Sequence, residues 1–201
     1  MIVPGVLKID GFLKIYDPNN GEMFVDKHNA IHYENMSISL AETLAHKPLG
    51  WIYSMAFGNG GSSVDPTGVI TYLPPNVTGQ NADLYNETYF KVVDDLSAAN
   101  TDPVNNKLTV LHTSGKLYTD VLVSCLLDYG EPAGQQAFDN STNFNGEFVF
   151  DELGLKGWTG SGQANRLLTH VIFHPVQKAL NRQIQIDYTV RIQTLTNLSA
   201  A

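Results

Sequence analysis

A chain of 201 residues with 43% hydrophobic and 16% charged residues can bury a sizeable core, and it is too apolar and too weakly charged to be generally disordered. The 12 basic and 20 acidic residues leave a formal charge of −8, and lysines such as Lys47, Lys91, Lys107 and Lys116 are scattered singly, so no direct nucleic-acid binding is expected. No run approaches about 18 uninterrupted apolar residues, and Met1 to Gly11 lacks the charged start and long apolar stretch of a signal peptide, so neither a membrane span nor secretion is expected.

The polar residues are mainly Asn, Thr, Ser, Gln and Gly, a mixture that favours strands and turns. Val3 to Ile9 and Gly11 to Tyr16 read as strands. Asp17-Pro-Asn-Asn-Gly21 is a turn, and Glu22 to Asp26 is the returning arm of a hairpin. One helix follows at about residues 35–46. Asn35 is its expected N-cap, Ile38, Ala41, Leu44 and Ala45 its apolar stripe, and Pro48 and Gly50 its stop. So short a helix needs a sheet to pack on.

Trp51 to Phe57 is the partner strand and ends in Gly58-Asn-Gly-Gly-Ser-Ser63, read as a flexible loop. The chain stays loop-like to residue 86, with Pro66, Pro74 and Pro75. Further strands are expected at Thr88 to Val93, Lys107 to Thr113, Thr119 to Leu127, Glu147 to Leu155 and Leu167 to Phe173. Long loops separate them near 97–106 and 131–146. The last strand has the plainest signature. Ile184, Ile186, Tyr188, Val190 and Ile192 alternate with polar residues, which marks one buried and one wet face. The whole reads as one mainly β domain, a sandwich or distorted barrel with one short α-helix and extended loops.

Few residues suggest chemistry. Cys125 lies in an apolar run and reads as a small core residue. His170 and His174 share a strand face but sit about 13 Å apart, too far to hold one metal. Asp26, His28, His32 and Glu34 read as a polar connection between hairpin and helix. Asp17, Asn19, Gly21 and Glu22 share only part of a calcium loop's ligand pattern. Gly58-Asn-Gly-Gly61 lacks the ending of a phosphate loop, and the acidic pairs Asp94-Asp95 and Asp151-Glu152 read as solvated faces. No Gly-x-Ser-x-Gly element is present. No cofactor, metal or catalytic residue is therefore assigned, and an enzyme is not expected. Trp51, Tyr53 and Phe57, like Phe148 and Phe150, read as core, whereas Trp158, in a glycine-rich loop, is a candidate contact anchor.

Four stretches together resemble a family of tailed-bacteriophage virion proteins. They are Val25-Asp-Lys-His-Asn-Ala-Ile-His-Tyr-Glu-Asn-Met36, Met55-Ala-Phe-Gly-Asn-Gly-Gly61, Leu84-Tyr-Asn-Glu-Thr-Tyr89 and Phe150-Asp-Glu-Leu-Gly-Leu155. The resemblance implies a structural subunit of a myophage-type virion, assembled in the host cytoplasm. A neck or collar position at the head–tail junction is the first expectation, a baseplate or fibre-attachment position the second. Its partners would be copies of itself in a ring and neighbouring virion proteins. A receptor- or carbohydrate-binding module on the particle is the other reading. Trp158, Tyr72, Tyr85 and Asn59 are the candidate interface residues.

Overall fold

In the computed structural model, described here for residues 5–132, 147–160 and 165–196, the chain is a β-sandwich with one helix. The first sheet runs β2 (Met23–His28), β1 (Gly5–Tyr16), β13 (Ile184–Thr196), β9 (Tyr118–Leu127), β8 (Lys107–Leu111). The second runs β3 (Ala30–Ile31), β12 (Thr169–Ala179), β10 (Glu147–Gly157), β4 (Ile52–Gly58), β7 (Glu87–Val92), with β11 (Arg166–Leu167) beside β10. A small hairpin, β5 (Ser62–Val64) with β6 (Ile70–Tyr72), forms a third sheet. Among the described residues no barrel closes and every strand pair is antiparallel.

The alternation in the last strand does what it promises. Ile184, Ile186, Tyr188 and Val190 are buried between the sheets, where they join Leu13, Ile15, Val123, Cys125, Phe57, Phe150, Leu153 and Phe173 in one core. Phe150 meets both Phe57 and Phe173 edge-to-face, with ring centroids 5.5 and 5.8 Å apart. Cys125 is fully buried, and burial pushes its thiol up to about 12, consistent with a small core residue.

Several boundaries differ from expectation. The described first strand is continuous over Gly5–Tyr16, paired along its length with β13. β12 runs on through Pro175 because the β10–β12 register shifts between Phe150 and Glu152, so Pro175 falls in the irregularity. The β5–β6 hairpin lies within the expected loop near 58–86. The loop near 131–146 falls almost wholly outside the described residues.

The helix α1 (Tyr33–Leu44) corrects two assignments. His32, not Asn35, is its N-cap: His32 Nδ1 accepts the Asn35 backbone N–H at 3.2 Å. The buried face carries Asn35, Met36 and Ser39, while Ala41 and Ala45 are exposed and Leu44 is 86% exposed. The expected apolar stripe of Ile38, Ala41, Leu44 and Ala45 is thus not the packing face. The helix is seated by Met36, which joins the main core with Leu40 packed against it, and by polar side chains: Asn35 donates to Leu167 O at 3.0 Å, and Arg166 pairs with Glu42 at 2.8 Å. It ends before Pro48, with His46 in the left-handed region at φ 52°.

Candidate functional site

The segment from Gly58 to Asn86 lies over the outer face of the second sheet, and the sheet is built to receive it. At the floor are small residues. A Cβ on Gly154 would lie 2.6 Å from Leu167 Cδ1, 2.7 Å from Thr169 O and 3.0 Å from Leu84 Cδ1. Beside it Ala56, Leu84 and Leu167 form a second small apolar cluster, with Ala82 packed against it. At Gly58 a Cβ would sit 2.4 Å from Asn86 O. Small side chains on β4 and β10 let another stretch of backbone approach the sheet closely.

Around that floor the segment is tied by buried polar groups. Glu152, whose side chain is 0% exposed, accepts the backbone N–H of Gly60 (3.0 Å) and Asn86 (2.8 Å) on Oε1. Its Oε2 takes the N–H of Tyr85 (2.9 Å) and His170 Nε2 (3.0 Å). His170 Nδ1 accepts the Asn76 backbone N–H at 2.8 Å, which places the ring proton on Nε2, facing Glu152. Burial would raise the Glu152 carboxyl, but the His170 bond and the Asn86, Tyr85 and Gly60 N–H groups outweigh it and hold it below its ordinary value. Asp151 accepts Gly61 N (2.9 Å) and the Ser62 hydroxyl. For Asp151 burial wins over those bonds and its carboxyl is raised. Lys156, also buried, bridges Asp83 (2.7 Å) and Glu87. From the other flank His32 Nε2 donates to Gly79 O (2.9 Å), and Asn35 Nδ2 to Gln80 O (3.4 Å).

Two expectations are corrected here. Asp151-Glu152 is not a solvated face: the residues are 3% and 0% exposed. Gly58-Asn-Gly-Gly61 is not a free connector, because the Gly60 and Gly61 N–H groups are held by those two carboxylates and the Asn59 N–H by Asn86 O. The four stretches that carried the sequence resemblance also meet at this place. His32 and Asn35, Gly58 to Gly61, Tyr85 and Asn86, and Asp151 and Glu152 are all parts of one anchor beneath one segment. Single-sequence reading missed the anchor because its members come from four separate elements. The one local signal was an acidic pair inside an otherwise apolar strand.

The candidate interface residues separate into two places. Tyr72, Tyr85 and Asn59 all belong to the anchored segment. Tyr72 is 46% exposed with its hydroxyl 3.1 Å from His174 Nδ1, and Tyr85 is 42% exposed with its hydroxyl on Pro74 O at 2.7 Å. Asn59 is half-buried and accepts from Asn86 Nδ2 at 2.5 Å. Trp158 sits elsewhere, packed on Tyr53 (4.6 Å between centroids) and Trp51 (6.3 Å). The Trp158 backbone N–H also donates to Trp51 O at 2.9 Å. Trp158 is therefore part of an aromatic cluster and not an isolated loop tip.

His170 is buried on Glu152 while His174 is exposed beside Tyr72. No group of three or more His, Cys, Asp or Glu placed to hold a metal occurs among the described residues. Among those residues no helix is long and apolar enough to cross a membrane. No family model, curated protein or solved structure matches the chain.

Proposed function

We propose that the chain is a structural subunit of a tailed-phage virion, placed at the neck or collar and acting through contacts with copies of itself and with neighbouring virion proteins. The observation that carries this reading is the anchored segment. It exposes Val64 (62%), Val69 (58%), Tyr72 (46%), Leu73 (44%) and Tyr85 (42%) while its backbone is fixed from below by Glu152, Asp151 and His170. Exposed apolar side chains on a pre-ordered backbone suit protein–protein contact, because the ordering entropy is met at folding and not at assembly. The phage attribution itself rests on the sequence resemblance. A baseplate or fibre-attachment position would use the same kind of surface.

Mass photometry and cross-linking of the purified chain, with proteomics of purified virions, test the reading. A defined oligomer is expected, and the double substitution Val69→Asp with Tyr72→Asp reduces it to monomer while shifting Tm by no more than about 2 °C, since both side chains are exposed. A monomer at all concentrations, in a chain absent from virions, overturns it.

A further inference from the structure

At the end of β4 opposite Gly58 and the anchor lies an open groove of about 700 Å³. Its walls come from both sheets: Trp51 and Tyr53 lead into and lie on β4, Leu108 lies on β8, and Trp158 follows β10. The turn after β7 closes one side with Asp94, Asp95 and Leu96. β4 places this groove about 20 Å from Gly58 and the anchor. We infer that the groove is a binding site for a neutral oligosaccharide, with Trp51, Tyr53 and Trp158 as its stacking platform and Asp95 as its hydroxyl acceptor.

The ring geometry selects the ligand's shape. Trp51 and Trp158 lie 24° from parallel with centroids 6.3 Å apart, and Tyr53 is 4.6 Å from Trp158. Rings this close leave no slot between them for an inserted side chain or a caged cation. Tyr53 is tilted 45° to Trp158, and all three rings are only half-buried, so the cluster presents aromatic surface to the groove, which suits the C–H face of a pyranose. The platform is fixed in place: the Trp51 indole N–H donates to Asp94 Oδ2 at 2.9 Å, and Asp94 Oδ1 takes Leu96 N at 3.0 Å. Both Asp94 oxygens are thus engaged within the chain, and Asp94 acts as a positioning residue. Asp95 is exposed, and its Oδ1 accepts only a long bond from Leu108 N at 3.4 Å. Its Oδ2 is left as an acceptor. Ser97 Oγ accepts from Ala99 N at 3.2 Å, leaving its O–H available as a donor. An acceptor and a donor at the edge of an aromatic platform match sugar hydroxyls. No lysine or arginine lines the groove, and two aspartates do, so an anionic sugar or a phosphate is disfavoured.

The chain offers a direct readout, because its only two tryptophans are both in this groove. Tryptophan emission of the full chain is followed during titration with cellohexaose, maltohexaose, chitohexaose and hexagalacturonate, each to about 10 mM, a range that captures weak sites. A saturable change with a neutral hexaose is expected, with at least about tenfold weaker binding in Asp95→Ala and Trp158→Phe. Asp95 is exposed, so an unchanged melting curve for Asp95→Ala shows that lost binding is not lost folding. Three outcomes overturn the inference: no response to any neutral hexaose, equal binding by the galacturonate, or an emission change that follows protein concentration alone. Mass photometry of the same samples reads subunit association separately, so failure of this site and failure of the virion reading are distinguishable.

Discussion

The outward positions of β13 and β10 make an instructive pair. On β13 they are Gln185, Asp187, Thr189, Arg191 and Gln193, all half-buried and open to solvent on their side of the sheet. On β10 they are Glu152, Gly154 and Lys156, and all are buried beneath the 58–86 segment. The same kind of antiparallel strand thus supports a wet charged face on one sheet and a covered polar face on the other. On the wet face water remains an alternative partner for every group. On the covered face each polar atom depends on the protein for its bonds, so single substitutions there should weigh far more.

Glu152 should give the largest effect. Its two oxygens hold three backbone N–H groups and His170, and alanine would leave all four without an acceptor. Glu152→Ala is expected to lower unfolding free energy by about 3–5 kcal/mol in urea denaturation. Glutamine should not rescue it, because the new amide would set an NH2 against two donors that each carboxylate oxygen now accepts. Proteolysis between residues 58 and 86 should accelerate in both variants. The acid response follows from the same bonds. The folded carboxyl lies below the ordinary 4.5, so its contribution is complete above that pH and disappears as the pH falls through the depressed value. That part of the acid loss should be missing in Glu152→Gln. Equal stability of wild type and alanine variant at pH 7 would show that the segment is not anchored by this group.

Gly154→Ala tests the floor without touching a hydrogen bond. The added methyl would press on Thr169 O, which is backbone, as well as on the movable ends of Leu167 and Leu84. A loss of about 1–3 kcal/mol is expected, the range for overpacking a filled site. An unchanged midpoint would mean that the segment lifts readily from the sheet.

The same contrast governs what could be seen in the sequence. β13 was legible because its outer face is wet, so polar and apolar residues alternate. β10 reads as an apolar strand interrupted by Asp151 and Glu152, and an acidic pair looks solvated unless its partners are known. Those partners, Gly60, Gly61, Tyr85, Asn86 and His170, are distant in sequence and are mostly backbone groups, which carry no residue signature. The helix misled for a related reason. Its hydrophobic positions suggested a stripe, but the buried side carries Asn35 and Ser39 beside Met36, and the Asn35 amide N–H groups find their acceptors, Leu167 O and Gln80 O, only after folding. Trp158 could be singled out by its loop, but its neighbours Trp51 and Tyr53 come from the start of β4, about a hundred residues earlier.

Arg191→Ala on the open face is the control that completes the comparison. Arg191 makes a two-pronged pair with Asp120, with Nε to Oδ1 and Nη2 to Oδ2 both 2.8 Å, and its guanidinium lies 4.0 Å from the Tyr118 ring centroid. By geometry alone this is a better ion pair than any bond Glu152 makes. Yet the Arg191 side chain is 31% exposed, so water and salt compete with it, and Asp120 is resolvated once the partner is gone. A loss of only about 0.5–1 kcal/mol is expected, shrinking further in about 0.5 M salt. A loss as large as that of Glu152→Ala would show that the outer face of the first sheet is also covered, because only removal of water could make the pair so costly to break.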